Sequence, residues 1–405
     1  MEIKPIRGVI ALLTNQCNLA CPYCFEKRDV QMMSLDTAKK LVDFVAPQNS
    51  PHITLFGGEP TLMWDSIIVP LTNYAEEKGV RLNMTTNGTL LTPERVDFLI
   101  DHNITFLLSM DGCKATQDSN RPMRSGGSSF DSIPMDYILS KKPNQPFRGT
   151  LTPHSVGSLY DDVLFFERSG VKDLGYLPDY FQTWNEESLK TLSEQIILIE
   201  AHIIQSFIDG KMPLMLRAYL VAFADVFRLQ AKKDRARRTA PDCLAENQCG
   251  LGVRGSCSAD VFGNFYGCHH ISPLTPESEW YIGNVYDGLD ESRVRALIGK
   301  YDAQKVGGDR CLNCPLDAVC DGGCKSNNYM ICGDMHEVPE MFCIWKRSIT
   351  DSAYRIAKTL GDDENELFIR TFNRWKGLRL SVSFCKVTEN YRKIFSQRRL
   401  DQVRR

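Results

Sequence analysis

Three cysteines, Cys17, Cys21 and Cys24, stand at Cys-x3-Cys-x2-Cys directly after the apolar run Gly8-Val9-Ile10-Ala11-Leu12-Leu13. That run reads as a buried strand, which sets the cysteines on the loop leaving its C-terminal end. Three thiolates on one short loop can each take one iron of a cubane [4Fe–4S] cluster and leave the fourth iron open. An open metal position is what separates a catalytic centre from a closed structural one. The other readings are a zinc loop or three unrelated buried cysteines. A zinc knuckle closes with a fourth Cys or His nearby, and none follows until His52.

At 405 residues the chain can bury a large core in two domains with a small third. With 48 Lys and Arg against 50 Asp and Glu, nothing in the overall charge marks a nucleic-acid binder. The start Met-Glu-Ile-Lys-Pro-Ile-Arg enters a strand at once and reads as no signal peptide, and no apolar run reaches membrane-spanning length. Fifteen cysteines without an export signal point to metal in a reducing compartment. The expected address is the cytoplasm of an organism living with little oxygen, since exposed iron–sulfur clusters are oxygen-sensitive.

Up to about residue 230 short apolar strands alternate with helical stretches. A helix is expected over 34–45 with Ser34 as N-cap, a strand over 52–56 and a helix over roughly 63–78. Then come a strand over 81–86, a helix over 93–102 and a strand over 105–110, with further units near 147–152 and 172–177. This alternation implies a parallel sheet that right-handed crossovers curve into a full or partial (β/α) barrel, an α/β fold. Chemistry in such a barrel sits at the C-terminal ends of strands, where the three-cysteine loop, Gly57-Gly58-Glu59-Pro60, Asn87-Gly88 and Asp111-Gly112 all fall. Two helices over 186–209 and 214–229 form a bridge, followed by the basic cluster 232–238 and a composition break at 239–242. The tail reads as helical over 349–360, 364–375 and 388–395, ending in a basic terminus. The expected units are a core domain over 1–230, a Cys-rich domain with a β-hairpin over 241–349, and a helical segment over 350–405.

Gly57-Gly58-Glu59-Pro60 suits a backbone that approaches a ligand closely. The glycines carry no Cβ, Glu59 adds an acceptor and Pro60 fixes the exit. Alone it is equally an ordinary turn; its place one βα unit after the three-cysteine loop makes it specific. Together the two motifs resemble the radical S-adenosylmethionine (radical SAM) superfamily. That resemblance implies an electron passed from a reduced cluster to the SAM sulfonium, giving a 5′-deoxyadenosyl radical that removes hydrogen from unactivated C–H bonds. It implies that Cys17, Cys21 and Cys24 hold the catalytic cluster, whose open iron chelates the methionyl amino and carboxylate groups. Gly57, Gly58, Glu59 and Pro60 are expected at the methionyl amine and Tyr23 beside the adenine. Asn87, Ser109 and Asp111 are expected at the ribose or amino-acid part, and Arg121 at the carboxylate. For Ser109, Asp111 and Arg121 a loop-structural role is the alternative.

From Cys243 onward cysteines are dense. Eight of them suffice for two four-iron clusters or for two zinc sites. Cys249, Gly263-x4-Cys268, Cys311-x2-Cys314-x5-Cys320-x3-Cys324 and Cys343 resemble the SPASM domain, the auxiliary-cluster extension of peptide-modifying radical SAM enzymes. Gly283-Asn284 matches the short element between its halves. The resemblance implies one auxiliary cluster on Cys249, Cys257, Cys268 and Cys324 and another on Cys311, Cys314, Cys320 and Cys343, hence three [4Fe–4S] clusters in all. At the Cys257 position some relatives leave a coordination site open to substrate. Cys113, Cys243, Cys332 and Cys385 remain, read as small buried hydrophobes, with a reactive role as the alternative for Cys113 and Cys332.

Three functions compete within this pattern. The first is maturation of a ribosomally made, Cys-containing peptide by thioether formation, since the runs around Asn87 and Asp111 resemble maturases of peptides with Cys-x-x-x repeats. The second is the anaerobic sulfatase-maturating enzyme, which makes formylglycine. That group carries an acidic base directly after the Gly-x4-Cys cysteine, where this chain has His269-His270; an imidazole can accept a proton near neutral pH. The third is a non-catalytic electron-transfer protein, which leaves the 57–60 motif without purpose. The expected partners are a small Cys-rich peptide and an electron donor such as a flavodoxin or ferredoxin, with neither nucleic acid nor membrane. Because the first strand starts near residue 8, a leader-binding winged domain has no room, and leader binding falls to the C-terminal region, the bridge or a separate protein.

Overall fold

The computed structural model describes residues 3, 5–25, 30–231, 255–271, 274–301, 310–311, 313–317, 319–320 and 322–376. Cys243, Cys249, Cys385, the basic cluster 232–238, the break at 239–242, the helix expected over 388–395 and the basic terminus lie outside these residues.

Six strands run parallel in chain order: β1 (Gly8–Thr14), β2 (His52–Gly57), β3 (Arg81–Thr86), β4 (Thr105–Ser109), β5 (Pro146–Leu151) and β6 (Asp173–Pro178). Parallel neighbours need long crossovers. These are supplied by α1 (Leu35–Val45), α2 (Val69–Glu77), α3 (Pro93–Asp101), α4 (Lys114–Asn120), α5 (Met135–Lys141) and α6 (Leu159–Arg168). Alternation decides which side of the sheet each residue serves. Ile53, Leu55, Leu82, Met84, Phe106, Leu108 and Phe147 are buried in one apolar core, while Thr54, Phe56, Asn83, Thr85, Leu107, Ser109 and Arg148 form the other, half-buried face. This is the partial barrel expected from the alternation.

Ser34 caps α1 as expected, its hydroxyl accepting from the Thr37 amide at 3.0 Å. The helix expected over 63–78 is instead a 3₁₀ turn (Pro60–Met63), a π turn (Trp64–Ile68) and then α2. Pro70 is the cause: it has no N–H for the Ser66 carbonyl, and the ladder widens just ahead of it.

The free edge of β1 takes β7 (Ser256–Ala259) in parallel, Gly8 facing Ser256 and Ala11 facing Ala259. An antiparallel meander follows through β8 (Asn264–Tyr266), β9 (Tyr281–Asn284) and β10 (Gly288–Leu289). The hairpin expected around Gly263 is present. Asp260 accepts from the amides of Phe262 and Asn264, and Gly263 takes a φ of +83°. One sheet of ten strands among the described residues therefore joins the barrel to the Cys-rich region.

Behind it lie α7 (Glu186–Ile208), α8 (Arg217–Ala231) and a helix over Glu340–Asp362, followed by one over Glu366–Lys376. The Glu340–Asp362 helix docks through Lys346 on Asp225, Arg355 on Glu200, and a 2.8 Å bond between Ser352 and Tyr219. It starts nine residues before the expected 349 and so carries Cys343 in its first turn. No described helix is long and apolar enough to cross a membrane.

Candidate active site

The three-cysteine loop is tied down from several sides. The amides of Gly58 and Glu59 donate to the carbonyls of Thr14 and Gln16, both at 2.8 Å, and those of Ala20 and Arg124 bond Pro122 and Asn18 across to a later loop. Leu19, buried, is the apolar plug between the cysteines. Cys17 sulfur accepts from the Leu19 amide at 3.4 Å and from the Asn87 amide nitrogen at 3.9 Å, donors that favour a thiolate. Burial pushes the Cys21 thiol up to about 11; Arg121 opposes this, while Asp111, Cys24 and Cys17 add to it. Burial thus holds the Cys21 thiol against ionisation until a metal takes the charge. Three sulfur donors on one loop, with no His or carboxylate among them, suit an iron–sulfur cluster. No three metal-ligating side chains converge on one point among the described residues. A cubane, which takes one thiolate per iron, does not require that.

The glycines at 57 and 58 have a reason the sequence did not reveal. Gly57 has φ +120°, and a Cβ there would sit 2.3 Å from the Thr14 carbonyl oxygen; at Gly58 it would sit 2.1 Å from that of Gln16. The close approach is to the cysteine loop itself. Glu59 is buried, with its carboxylate fully engaged: one oxygen accepts from Thr61 N–H at 3.0 Å, Thr61 hydroxyl at 2.5 Å and Thr86 hydroxyl at 2.7 Å, the other from Asn87 N–H at 2.8 Å. Burial raises its pKa, and those four bonds pull the other way. Glu59 therefore locks the exits of β2 and β3 together. Pro60 opens the 3₁₀ turn. Asn87 in turn donates to Asn18 at 2.9 Å and accepts from Thr89, which fixes the cysteine loop against β3.

Asp111 is the hub on the far side. It accepts from Tyr23 hydroxyl at 2.6 Å, Arg121 at 2.9 Å and the Thr150 amide at 2.8 Å; its own amide bonds Gln117, and its carbonyl takes the Tyr176 hydroxyl. Arg121 lies 5.5 Å from the Tyr23 ring centroid. Burial works against its charge, but Asp111, Tyr23 and Cys21 hold the guanidinium above the ordinary arginine range. Arg121 Nε and Gln117 Nε2 are the polar atoms of this cluster that are buried without a partner among the described residues. Ser109 ends β4 on the interior face, beside Arg148.

Among the expected auxiliary ligands, Cys311, Cys314 and Cys343 lie close enough that the latter two raise the Cys311 thiol, after burial. Cys320 and Cys324 flank Gly322 and Gly323, both at positive φ, with Phe342 packed on Gly323. Cys268 ends the β8 turn, and the next residues contact the barrel. His270 packs at a tilt against Phe25, ring centroids 4.7 Å apart, and meets Asn327 at 3.2 Å; His269 meets Phe56 edge-on at 4.6 Å. Burial pulls both imidazoles below their usual range. Cys257 faces the other way. Its register with Val9 puts it in the apolar core, where burial pushes its thiol far up. Cys332 has Glu337, Arg310 and Asp334 as charged neighbours, and the Cys113 amide bonds Asp162 at 2.9 Å. Neither joins a cysteine cluster among the described residues. The inward cation Arg148 and the clamping pair Thr61 and Thr86 escaped the sequence reading; a charged residue in mid-strand at interior parity was the available signal for the first.

The radical SAM superfamily model matches residues 12–133, from β1 through the strand-end motifs. Fe-coproporphyrin III synthase of Methanosarcina barkeri is 36% identical over 358 residues, covering 82% of this chain and 86% of that protein. Mycofactocin maturase MftC of Mycobacterium ulcerans is 25% identical over 332 residues, 78% of this chain and 82% of that one. Native anSMEcpe with bound AdoMet and Kp18Cys peptide superposes with a TM-score of 0.68 at 18% identity, covering 88% of this chain and 99% of that one. This chain belongs to the radical SAM superfamily, in its SPASM-type branch, and so works with SAM and a [4Fe–4S] cluster.

Proposed function

We propose that this enzyme removes hydrogen from a Cys-containing peptide held in the barrel interior and closes a thioether between cysteine sulfur and carbon, with Cys17, Cys21 and Cys24 holding the SAM cluster and the later cysteines two auxiliary ones. The observation that carries it is the attachment of the Cys-rich region to the β1 edge. That pairing brings His269-His270, next to Cys268, against Phe25, next to Cys24, so two cysteine fields flank one interior. Likeness to a maturase and to a fold solved with a peptide supports the substrate class.

When bound, SAM and the clusters would supply the one-electron chemistry: removal of one C–H hydrogen atom, and an acceptor for the one electron released as the C–S bond closes with loss of the thiol proton. The chain's own residues hold the geometry. Gly57 and Gly58 let the cysteine loop sit on β2, Glu59 and Asn87 fix that loop to β3, and Asp111 with Arg121 clamps Tyr23 over it. Phe25, Phe56 and the two imidazoles make a wall that keeps water from a reactive radical.

A second reading has its own support. The 36% identity to Fe-coproporphyrin III synthase exceeds the 25% to the maturase, which favours an iron porphyrin acid in the same interior. Mass spectrometry after anaerobic turnover separates the two. Loss of two hydrogens per crosslink on a Cys-rich peptide supports thioether formation. Formylglycine without a crosslink, or change in iron coproporphyrin III alone, replaces it.

A further inference from the structure

Arg148 sits in the middle of β5 on the interior face, level with Ser109 of β4 and Gly175 of β6. Its neighbours Phe147 and Gly149 are buried on the opposite face. A guanidinium in a barrel interior loses water, and burial draws its pKa below the ordinary arginine range. The inward or docked cations described above each meet a carboxylate: Arg121 meets Asp111, Lys346 meets Asp225 and Arg355 meets Glu200. Arg148 is different. The ionisable groups acting on it are Tyr180, Arg217 and His270, and Arg217 is itself cationic and spent in a two-pronged pair with Asp173 at 2.5 and 2.6 Å. No carboxylate faces Arg148 among the described residues.

An uncompensated cation is costly inside a protein, and a site that keeps one is built for an anion. Arg148 lies two residues before Thr150, whose amide bonds Asp111 at the strand-end ring. At the rise of a strand this places it roughly 6–7 Å deeper than that ring. From there it is within electrostatic reach of His270, which packs against Phe25 beside the cysteine loop. We propose that Arg148 binds a carboxylate of the substrate in the barrel interior, below the ring where SAM lies. The planar fork matches a carboxylate with two parallel bonds, so it selects for an acid and sets its orientation. This rests on the reading that the interior holds the substrate, and it applies to both a peptide acid and a porphyrin propionate. The competing source of the same chemistry is the methionyl carboxylate of SAM.

The test uses cluster-loaded enzyme, wild type and Arg148→Met, with three binding titrations. One compares iron coproporphyrin III with its tetramethyl ester, one a Cys-containing peptide acid with its C-terminal amide, and one measures SAM. The expected result is an acid preference of about tenfold or more in one of the first two pairs, lost in R148M, with SAM affinity held. Which pair responds names the source, independently of whether a thioether forms. Melting of R148M should stay level or rise, since an unpaired buried charge is removed. Acid preference in neither pair overturns the proposal. So does weakened SAM binding in R148M, which assigns the arginine to SAM, and so does a lowered melting point with acid preference intact, which makes it structural.

Discussion

The two cysteine fields are built by opposite means. The loop carrying Cys17, Cys21 and Cys24 is held by bonds that reach far along the chain: Asn18 to Asn87 and Thr89, Arg124 to the Leu19 carbonyl, and backbone bonds to Gly58, Glu59 and Pro122. Around Cys311, Cys314 and Cys320 the backbone bonds among the described residues are turns, Cys314 to Cys311, Asp317 to Cys314 and Cys320 to Leu316. Long-range bonds make a site before its ligand arrives; local turns leave the arrangement to whatever the thiols bind. The barrel therefore presents its cysteine loop ready-made, and on the proposed function the auxiliary segment would take its form from metal. This follows the general coupling of metal binding to folding in segments with little core of their own.

The strongest way to break that contrast is to strip the iron. Chelation under oxidising conditions should drop amide-exchange protection in the segment 310–343 by at least about tenfold while Gly8–Thr14 and Arg81–Thr86 keep theirs. Equal losses in both would erase the distinction. Next in size is Glu59→Ala. It strands four side-chain and backbone donors inside the core and should cost on the order of 4 kcal/mol in anaerobic urea unfolding, with Glu59→Gln costing less because half its acceptors survive. A loss under about 1 kcal/mol for the alanine variant would mean that the preformed barrel site is not held by this carboxylate.

A pH effect of intermediate size belongs to the barrel half. Burial raises Asp162 to about 6 although the Cys113 amide donates to it. The folded state thus keeps a proton that the unfolded chain has released. The stability this carries is present at low pH and lost as pH rises from about 4 through about 6, on the order of 2–3 kcal/mol in all. Asp162→Asn should flatten the upper part of that fall in urea midpoints between pH 5 and 7; an unchanged slope would assign it elsewhere. The smallest effect concerns the docking of the Cys343 helix. Tyr219→Phe removes one buried bond to Ser352 and should cost about 1 kcal/mol with iron content unchanged. Lost iron would show that the auxiliary centre leans on this helix contact more than on its own thiols.

Much of the barrel was legible because its signals are local. The apolar run before Cys17, the Ser34 cap and the polar residues at successive strand ends each carry their meaning within a few residues. What escaped depends on partners distant in sequence. The pairing of β7 with β1, the face on which Cys257 lands, and the closeness of Gly57 and Gly58 to the cysteine loop all follow from register between strands far apart in the chain. Glu59 reads as an acceptor on a ligand loop, yet its four donors come from Thr61, Thr86 and Asn87. The short helices α4 and α5 have too few turns to leave a periodic stripe. The π turn before α2 shows the reverse case, where one local residue, Pro70, redirects a helix whose periodicity was plain.

The central claim is that the early thiolates serve SAM and the late ones do not. Cluster-loaded wild type, Cys17→Ala and Cys314→Ala, reduced anaerobically and given SAM, should be compared for iron content and 5′-deoxyadenosine formed. The account predicts that Cys17→Ala keeps roughly two thirds of the iron and makes no 5′-deoxyadenosine, while Cys314→Ala loses auxiliary iron and still cleaves SAM. Cleavage surviving in Cys17→Ala, or vanishing in Cys314→Ala with the first cluster intact, would contradict it.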